Sequence, residues 1–174
     1  MILHCTQKLI PRIPSATDLP EVVAERDAQA GPLSSWHGHL LTLDRRQCVL
    51  FCHDITRYVL FMPGLRAPQL AELGHRHRDL FLAVLEAQGL TRERIVRVGL
   101  MLGPLEVHRS TDRSVLGSMR VAADDLKYGM LNRTANVMDL DPIATSLALN
   151  ERPCRANGAL MWPQQAMYGL VERL

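Results

Sequence analysis

Residues 39–62, HLLTLDRRQCVLFCHDITRYVLFM, contain the strand pattern from which the fold of this chain is predicted. Three runs of β-branched, aromatic and other apolar residues, HLLTL, QCVLF and RYVLFM, are typical of strands. The segments between them, DRR at 44–46 and HDIT at 53–56, are short enough for hairpin connections. Pro63 and Gly64 then end the pattern. The stretch therefore predicts an antiparallel meander of three strands.

Strand and helix patterns extend in both directions from the meander. MILHCTQKL at 1–9 predicts an opening strand, and PLEVHRS at 104–110 predicts a later one. Apolar residues at helical spacing predict helices over residues 67–89, 91–102, 112–131, 139–150 and 163–174. The predicted fold is α+β, with a small antiparallel sheet (the meander, the N-terminal strand and one later strand) packed with four to five helices.

Length and composition indicate one domain. A chain of 174 residues, 47% hydrophobic and 22% charged, is long enough for one well-buried core, so we expect a single domain over 1–174. Residues 11–35 contain four of the ten prolines and predict a surface excursion within that domain.

The sequence predicts a cytoplasmic protein. No run reaches the roughly 18–20 apolar residues that span a bilayer, so no membrane association is expected. The stretch MILHCTQKLIPRIP at 1–14 lacks the features of a secretory signal, and the four cysteines are irregularly spaced. Reduced thiols in the cytoplasm are the expectation that follows.

Cys48, Cys52 and the adjacent His53 raise the question of a zinc site. In a strand, however, both thiols share a face and flank Leu50 as small apolar side chains, without the spacing of a structural zinc site. The nucleotide- and metal-binding signatures (P-loop, G-x-G-x-x-G, H-E-x-x-H) are also missing from the sequence. We therefore expect neither a metal nor a cofactor.

The stretch TDRSVLGSM at 111–119 is the first candidate site. Thr111 or Asp112 is placed to cap the helix that follows, and Arg113 lies beside the cap. The free amides of a first helical turn bind anions, so a phosphate there would meet amides, the Ser114 hydroxyl and a guanidinium.

Ser114 and Ser118 lie one helical turn apart, with Gly117 between them on the same side. This polar stripe would extend the anion site. The alternative, which the small side chains favour, is that Gly117 and the serines allow the helix to pack closely on the sheet.

The turn LDRR is the second candidate. Asp44, Arg45 and Arg46 occupy a tight connection, where adjacent arginines are usually solvated. If this turn lies near the 113 helix, Arg45 and Arg46 would join Arg113 in one anion-binding patch, because guanidinium groups suit phosphate and carboxylate.

The segments MILHCTQKL, LLTLDRRQCVLF, MPGL and RSVLGSM, in this order, resemble an uncharacterised bacterial family, a domain of unknown function. The resemblance extends over most of the chain, from residue 1 to about 174. It implies the order of the fold elements and the positions of the two arginine motifs, and it implies no reaction.

The leading hypothesis is a binding protein that recognises a phosphate-bearing ligand, nucleic acid or nucleotide, through Arg45, Arg46, Arg113, Ser114 and Ser118. One alternative is a small hydrolase or nuclease of the toxin-module type, with a histidine as base and Arg113 stabilising charge. This alternative requires a histidine to converge with Arg113 or Ser114. A second alternative is a protein-binding or homo-oligomeric subunit without catalysis.

Overall fold

The computed structural model describes residues 1–14, 31–156 and 158–174. A five-stranded sheet lies at its centre, formed by β1 (Ile2–Cys5), β2 (Ser35–Leu43), β3 (Arg46–His53), β4 (Val59–Met62) and β5 (Glu106–His108). The strand order is β4-β3-β2-β1-β5. A separate antiparallel pair is formed by β6 (Cys154–Ala156) and β7 (Ala159–Met161).

The antiparallel meander is confirmed. β2 pairs with β3, and β3 with β4, both in antiparallel register. Asp44 and Arg45 connect β2 to β3 with φ values of 46° and 60°. Positive φ at both central residues is the geometry of a type I′ turn, whose twist matches that of the flanking strands.

The opening strand and the later strand join the sheet as predicted, but they run parallel to their neighbours. β1 pairs in parallel with β2 on one side and with β5 on the other. Parallel neighbours need a long crossover connection, and residues 6–34 separate β1 from β2 while the helices after β4 precede β5. The sheet is therefore mixed.

Six α-helices occur in the described part of the chain: α1 (Ala67–Ala71), α2 (Leu73–Ala87), α3 (Arg92–Met101), α4 (Arg113–Asp124), α5 (Pro142–Asn150) and α6 (Pro163–Glu172). The predicted helix over 67–89 is divided at Glu72, which raises the helix number by one. A π-helical segment, Asp125–Met130, continues α4. Short 3₁₀ turns lie at Ile10–Arg12, Leu131–Arg133 and Val137–Asp139.

Helices cover both faces of the sheet because successive strand residues point to opposite sides. On one face, Trp36 and Phe51 pack with Phe81 of α2. On the other, Leu50 and the neighbouring strand residues pack with Met119 of α4. The predicted surface excursion at 11–35 falls mostly on residues 15–30, which lie outside the described residues, and the single domain stays a prediction.

The outer edge of β4 is closed by side chains of α5. Asn150 accepts a hydrogen bond from the Val59 amide through Oδ1 and donates Nδ2 to the Val59 carbonyl, each at 2.7 Å. The Ser146 hydroxyl oxygen accepts from the Phe61 amide at 3.0 Å. Helix side chains thus satisfy backbone groups that an edge strand would otherwise leave open.

Candidate functional site

Three histidines lie side by side on three adjacent strands. His4 of β1 is in register with His37 of β2 and with His108 of β5. The ring centroid of His4 lies 4.9 Å from that of His37 and 5.6 Å from that of His108. All three side chains are buried. Parallel pairing is what brings these residues together, since in-register residues of neighbouring strands point to the same face.

The Asp54 carboxylate, in the turn after β3, holds two of the surrounding side chains. Its Oδ1 lies 2.7 Å from Nδ1 of His37, and its Oδ2 accepts a hydrogen bond from the Ser35 hydroxyl at 2.6 Å. Burial by itself would raise the pKa of Asp54, but the hydrogen bonds from His37 and Ser35 outweigh burial and hold the pKa below its ordinary value. The carboxylate is therefore ionised at neutral pH.

His37 fastens the start of α4 to the sheet. Its Nε2 accepts a hydrogen bond from the Asp112 backbone amide at 2.8 Å. Because a backbone amide only donates, Nε2 carries no proton, and the proton on Nδ1 is donated to Asp54. His37 is thus a neutral link between the carboxylate and the helix, and its second nitrogen is already occupied.

His4 is differently placed, because it reaches an exposed hydroxyl. Its Nε2 lies 3.1 Å from Oγ of Ser35. Since Ser35 gives its own proton to Asp54, the Ser35 oxygen accepts from His4, and Nε2 of His4 carries the proton. The lone pair of Nδ1 then faces the hydroxyl of Ser110, whose Oγ lies 2.9 Å away.

Four side chains consequently form a continuous hydrogen-bonded relay: Ser110, His4, Ser35 and Asp54. Ser110 is exposed, while His4 is 7% exposed. The Oδ2 of Asp54 also lies 3.9 Å from Nε2 of His4. A base directed at an accessible hydroxyl, with a carboxylate behind it, can withdraw a proton from that hydroxyl.

Arg57 joins this relay to the first turn of α4. Its side chain is buried, and its φ of 57° is in the left-handed region. Its Nη1 donates to the Asp54 carbonyl, and its Nη2 donates to Oγ of Ser114 at 3.1 Å. Arg57 forms no ion pair with any residue that the structure describes. The guanidinium therefore leaves positive charge beside Ser114.

Asp112, one of the two residues predicted as the N-cap, caps α4. Its Oδ1 accepts from the amides of Ser114 at 2.6 Å and of Val115 at 3.0 Å. The hydrogen bond from the Val115 amide is the main cause of the lowered pKa of Asp112. The Asp112 carboxylate thus occupies two of the first-turn amides that the sequence predicts as a phosphate site.

Arg113 and Gly117 of the 111–119 motif lie on the outer side of α4, and Ser118 is half-buried. Arg113 is the exposed first residue of the helix. Ser118 donates its hydroxyl to the Ser114 carbonyl at 3.4 Å. A methyl group added at Gly117 would meet nothing within 4 Å. The interpretation of Gly117 as a point of close packing on the sheet is wrong, because this residue faces away from the sheet.

The Arg45–Arg46 turn lies at the other end of the β2–β3 hairpin. His37 is near the start of β2, and the strand runs on to Leu43 before the turn, a distance of about 20 Å at the rise of a strand. Asp44 fixes the turn there by accepting a hydrogen bond from the Val137 amide at 2.7 Å. The structure does not bring Arg45 and Arg46 together with Arg113.

The relay was missed from the sequence, although part of its signal was present. His4 and His108 each lie on a predicted strand, and His37 lies two residues before the predicted strand at 39–43. What the sequence did not provide was the parallel pairing that aligns them, and without it Ser110 had no visible partner.

Cys48 and Cys52 lie on one face of β3 with Leu50, as the strand interpretation predicted. Burial raises the pKa of both thiols. In residues 1–14, 31–156 and 158–174, no group of three or more histidine, cysteine or acidic side chains could hold a metal ion.

The fold and this site together define a mixed-sheet α+β protein that carries a buried histidine–aspartate network opening at a serine. The chain belongs to the family described as Domain of unknown function (DUF6933), which it matches over residues 2–166. The predicted membership of an uncharacterised family is thereby confirmed. No curated protein matches the chain. Among its described helices, none has the length and apolar character needed to cross a membrane.

Proposed function

We propose that this protein is a small hydrolase in which Ser110 is the nucleophile and His4 is the general base. The observation that carries the proposal is the 2.9 Å separation of Oγ of Ser110 from Nδ1 of His4. A serine hydroxyl is a weak nucleophile unless a base removes its proton as it attacks. The hydrogen bond through Ser35 supplies the orientation of that base.

The reaction follows the logic of acyl transfer. Oγ of Ser110 attacks the carbonyl carbon of an ester while its proton moves to Nδ1 of His4. When the tetrahedral intermediate collapses, the bond to the leaving oxygen breaks and His4 returns the proton to that oxygen. A water molecule, deprotonated by His4 in the same way, then attacks the acyl-serine, releases the carboxylic acid and restores Ser110.

Asp54 and Arg113 have supporting roles in this proposal. Asp54 is ionised and faces the ring edge of His4 at 3.9 Å, so it stabilises the imidazolium that forms during attack. Arg113, exposed three positions after Ser110, is the candidate for stabilising the oxyanion, as the hydrolase hypothesis from the sequence assumed.

An anionic group on the substrate is supported by the positive charge of Arg57, which forms no ion pair with a described residue. This guanidinium is buried beside the exposed Ser114, and Arg113 precedes that serine. A phosphate-bearing ligand, a nucleotide or nucleic acid, is therefore the second candidate, at a site composed of Arg57, Arg113 and Ser114 instead of the helix amides. Arg45, Arg46 and Ser118 take no part in it.

The experiment is a comparison of nitrophenyl substrates. Release of nitrophenolate would be measured from a neutral ester (p-nitrophenyl butyrate), an ester with a terminal carboxylate (mono-p-nitrophenyl glutarate) and a phosphodiester (bis-p-nitrophenyl phosphate). We expect hydrolysis of the esters, faster for the anionic ester. Hydrolysis of the phosphodiester alone would replace the esterase proposal with the nuclease alternative.

Ser110→Ala and Ser118→Ala make a matched pair for this assay. Removal of the nucleophile is expected to lower the rate at least about a hundredfold, because nucleophile and base act as a unit. Ser118 lies outside the relay and its replacement should leave the rate unchanged. Equal rates in the two variants would refute the role of Ser110. Self-association, a protein partner and a cytoplasmic location stay predictions from the sequence, and the proposal does not depend on them.

A further inference from the structure

Two adjoining cavities lie at the hairpin end of the sheet, away from His4. The first has a volume of about 330 Å³ and is lined by Arg46, Gly64, Arg66, Pro68, Gln69 and Met138. The second has a volume of about 400 Å³ and shares Gln69 and Met138 with the first. We call the two together the Arg46–Arg66 groove.

The chain path places the two arginines on one cavity. Arg46 is the first residue of β3, directly after the type I′ turn. The Leu65 amide donates to the Gln47 carbonyl at 2.7 Å, which holds the segment before α1 against the start of β3. Arg66 is the next residue after Leu65 and so faces the same cavity as Arg46.

Neither arginine is neutralised within the described part of the chain. Both are exposed, and neither forms an ion pair with a described acidic side chain. The nearest acid in sequence to Arg46 is Asp44, whose Oδ2 accepts a hydrogen bond from the Val137 amide. Among the described residues, the first cavity therefore presents two guanidinium groups that form no ion pair.

The second cavity has a different character. Apolar side chains dominate its lining, among them Leu65, Leu80, Leu140 and Pro142. Its one arginine, Arg76, pairs with Glu72 at 3.3 Å. One acidic side chain, Asp79, also lines this cavity, so a positively charged end continues into a mainly apolar cavity with a single carboxylate.

We propose that the Arg46–Arg66 groove binds a small amphipathic anion. Its phosphate or carboxylate head pairs with the guanidinium groups of Arg46 and Arg66, which match anions with two or more oxygens. Its alkyl portion lies over Met138 and enters the second cavity. Cavities of these volumes are in the usual range for small-molecule sites. The site goes beyond the proposed hydrolase, from which it is separated by the length of β2.

Isothermal titration calorimetry with three probes tests this site. The probes are inorganic phosphate, hexyl phosphate and hexanoate, used with the full chain. We expect saturable one-to-one binding of hexyl phosphate or hexanoate, and the tighter of the two identifies the head group. Inorganic phosphate should bind at least about tenfold more weakly, because burial of two methylene groups is enough for that ratio. Absence of saturable binding of both amphiphiles, or phosphate binding as tight as theirs, would overturn the proposal.

Three arginine-to-glutamine substitutions distinguish binding in the Arg46–Arg66 groove from attraction to general surface charge. Arg46→Gln and Arg66→Gln should each weaken the amphiphile about tenfold, the usual loss for a charged hydrogen bond. Arg45→Gln removes the adjacent exposed arginine, which does not line the groove, and should leave binding unchanged. Equal weakening by Arg45→Gln and Arg46→Gln would contradict the site. Circular dichroism of each variant shows that the fold is retained, so that a lost affinity refers to the groove.

Discussion

The hydroxyl oxygen of Ser110 lies 2.9 Å from Nδ1 of His4, although 106 positions separate the two residues in the chain. Their contact follows from one pairing: β5 runs parallel to β1 with His108 opposite His4, and Ser110 follows two residues later. The parallel pairing of β5 with β1 thus places the exposed Ser110 beside the buried His4.

Asp54→Asn is predicted to impair hydrolysis more than folding at neutral pH. The amide keeps the size of the carboxylate but has no charge with which to stabilise a protonated His4. We expect the rate of ester hydrolysis to fall at least about tenfold. Asp139→Asn, at an acid in the 3₁₀ turn Val137–Asp139, is the control and should retain the rate. An unchanged rate in Asp54→Asn would remove the carboxylate from the relay.

The lowered pKa of Asp54 also predicts that the free energy of unfolding depends on pH. Its pKa in the folded protein is below the ordinary value of 3.8, so its stabilising contribution is complete above that value and is lost as the pH falls through the folded pKa. The difference in unfolding free energy between wild type and Asp54→Asn should therefore be constant from pH 7 to pH 5 and shrink below about pH 4. Urea unfolding at these pH values measures it, and a difference that grows on acidification would contradict the pKa direction.

The buried ring of His77 predicts a second pH dependence of the free energy of unfolding, at higher pH than that of Asp54. Its ring packs 4.5 Å from Trp36 and 4.9 Å from Phe51, and neither ring nitrogen has a hydrogen-bond partner in the described structure. Burial lowers the pKa of His77 to about 3, and mainly burial lowers that of His53 to about 4. Both are below the ordinary 6.5, so the unfolded chain gains protons first as the pH falls below 6.5.

Because each of these histidines is buried as a neutral ring, each should lower the free energy of unfolding by about 2 kcal/mol between pH 7 and pH 5. This follows because pH 5 lies 1.5 pH units below the ordinary pKa of 6.5, and each unit corresponds to about 1.4 kcal/mol. His77→Met places an apolar side chain of similar size in the core and should remove about half of the combined loss from His77 and His53. The measurement is urea unfolding of both proteins at the two pH values. Identical pH dependence in the two would show that His77 is not buried as a neutral ring.

Gly117→Ala is predicted to stabilise the protein by about 1 kcal/mol, because alanine forms helix better than glycine and the added methyl group meets no neighbour. Gly74→Ala in α2 is the contrasting variant. There the new methyl carbon would lie 2.7 Å from Cβ of Leu105, which is anchored to the backbone. That clash should destabilise the protein by about 1–3 kcal/mol. Thermal melts decide, and a destabilised Gly117→Ala would show that α4 packs closely after all.

Asn150→Ala is predicted to be among the more damaging single substitutions. It leaves the buried amide and carbonyl of Val59 without partners, at about 1–3 kcal/mol for each group. Asn132→Ala is the control, since Asn132 is exposed and bonds only the Tyr128 carbonyl among described residues. Chemical denaturation should show a large loss for the first variant and a loss below about 0.5 kcal/mol for the second. Similar losses would mean that α5 does not close the sheet edge.

The meander and the helix cap could be predicted because their causes are local. Alternating residues and a two-residue turn at Asp44 and Arg45 specify a hairpin within a few positions. The Asp112 cap depends on amides two and three residues away. The orientation of Gly117 was also within reach: at 100° per residue it lies 200° from the buried Val115, on the opposite side of α4.

The relay could not be predicted in the same way, because it depends on contacts between distant segments. His4, Ser35, Asp54 and Ser110 come from four places in the chain. The parallel pairing of β1 with both β2 and β5, together with the β2–β3 hairpin that brings Asp54 beside Ser35, unites them. Such pairing is set by long crossovers and shared burial and leaves no local pattern. The same applies to the separation of the Arg45–Arg46 turn from Arg113, which the length of β2 determines.

Covalent labelling with an alkyl fluorophosphonate tests most directly whether Ser110 is a nucleophile activated by His4, and it requires no knowledge of the natural substrate. Attack by Oγ of Ser110 on phosphorus would expel fluoride and pass the serine proton to His4, leaving one phosphonyl group on the protein. Intact mass and peptide mapping should show a single adduct at Ser110, abolished in Ser110→Ala, strongly slowed in His4→Gln and unchanged in Ser118→Ala. A folded wild-type protein that forms no adduct, or one that His4→Gln labels at the wild-type rate, would contradict the account.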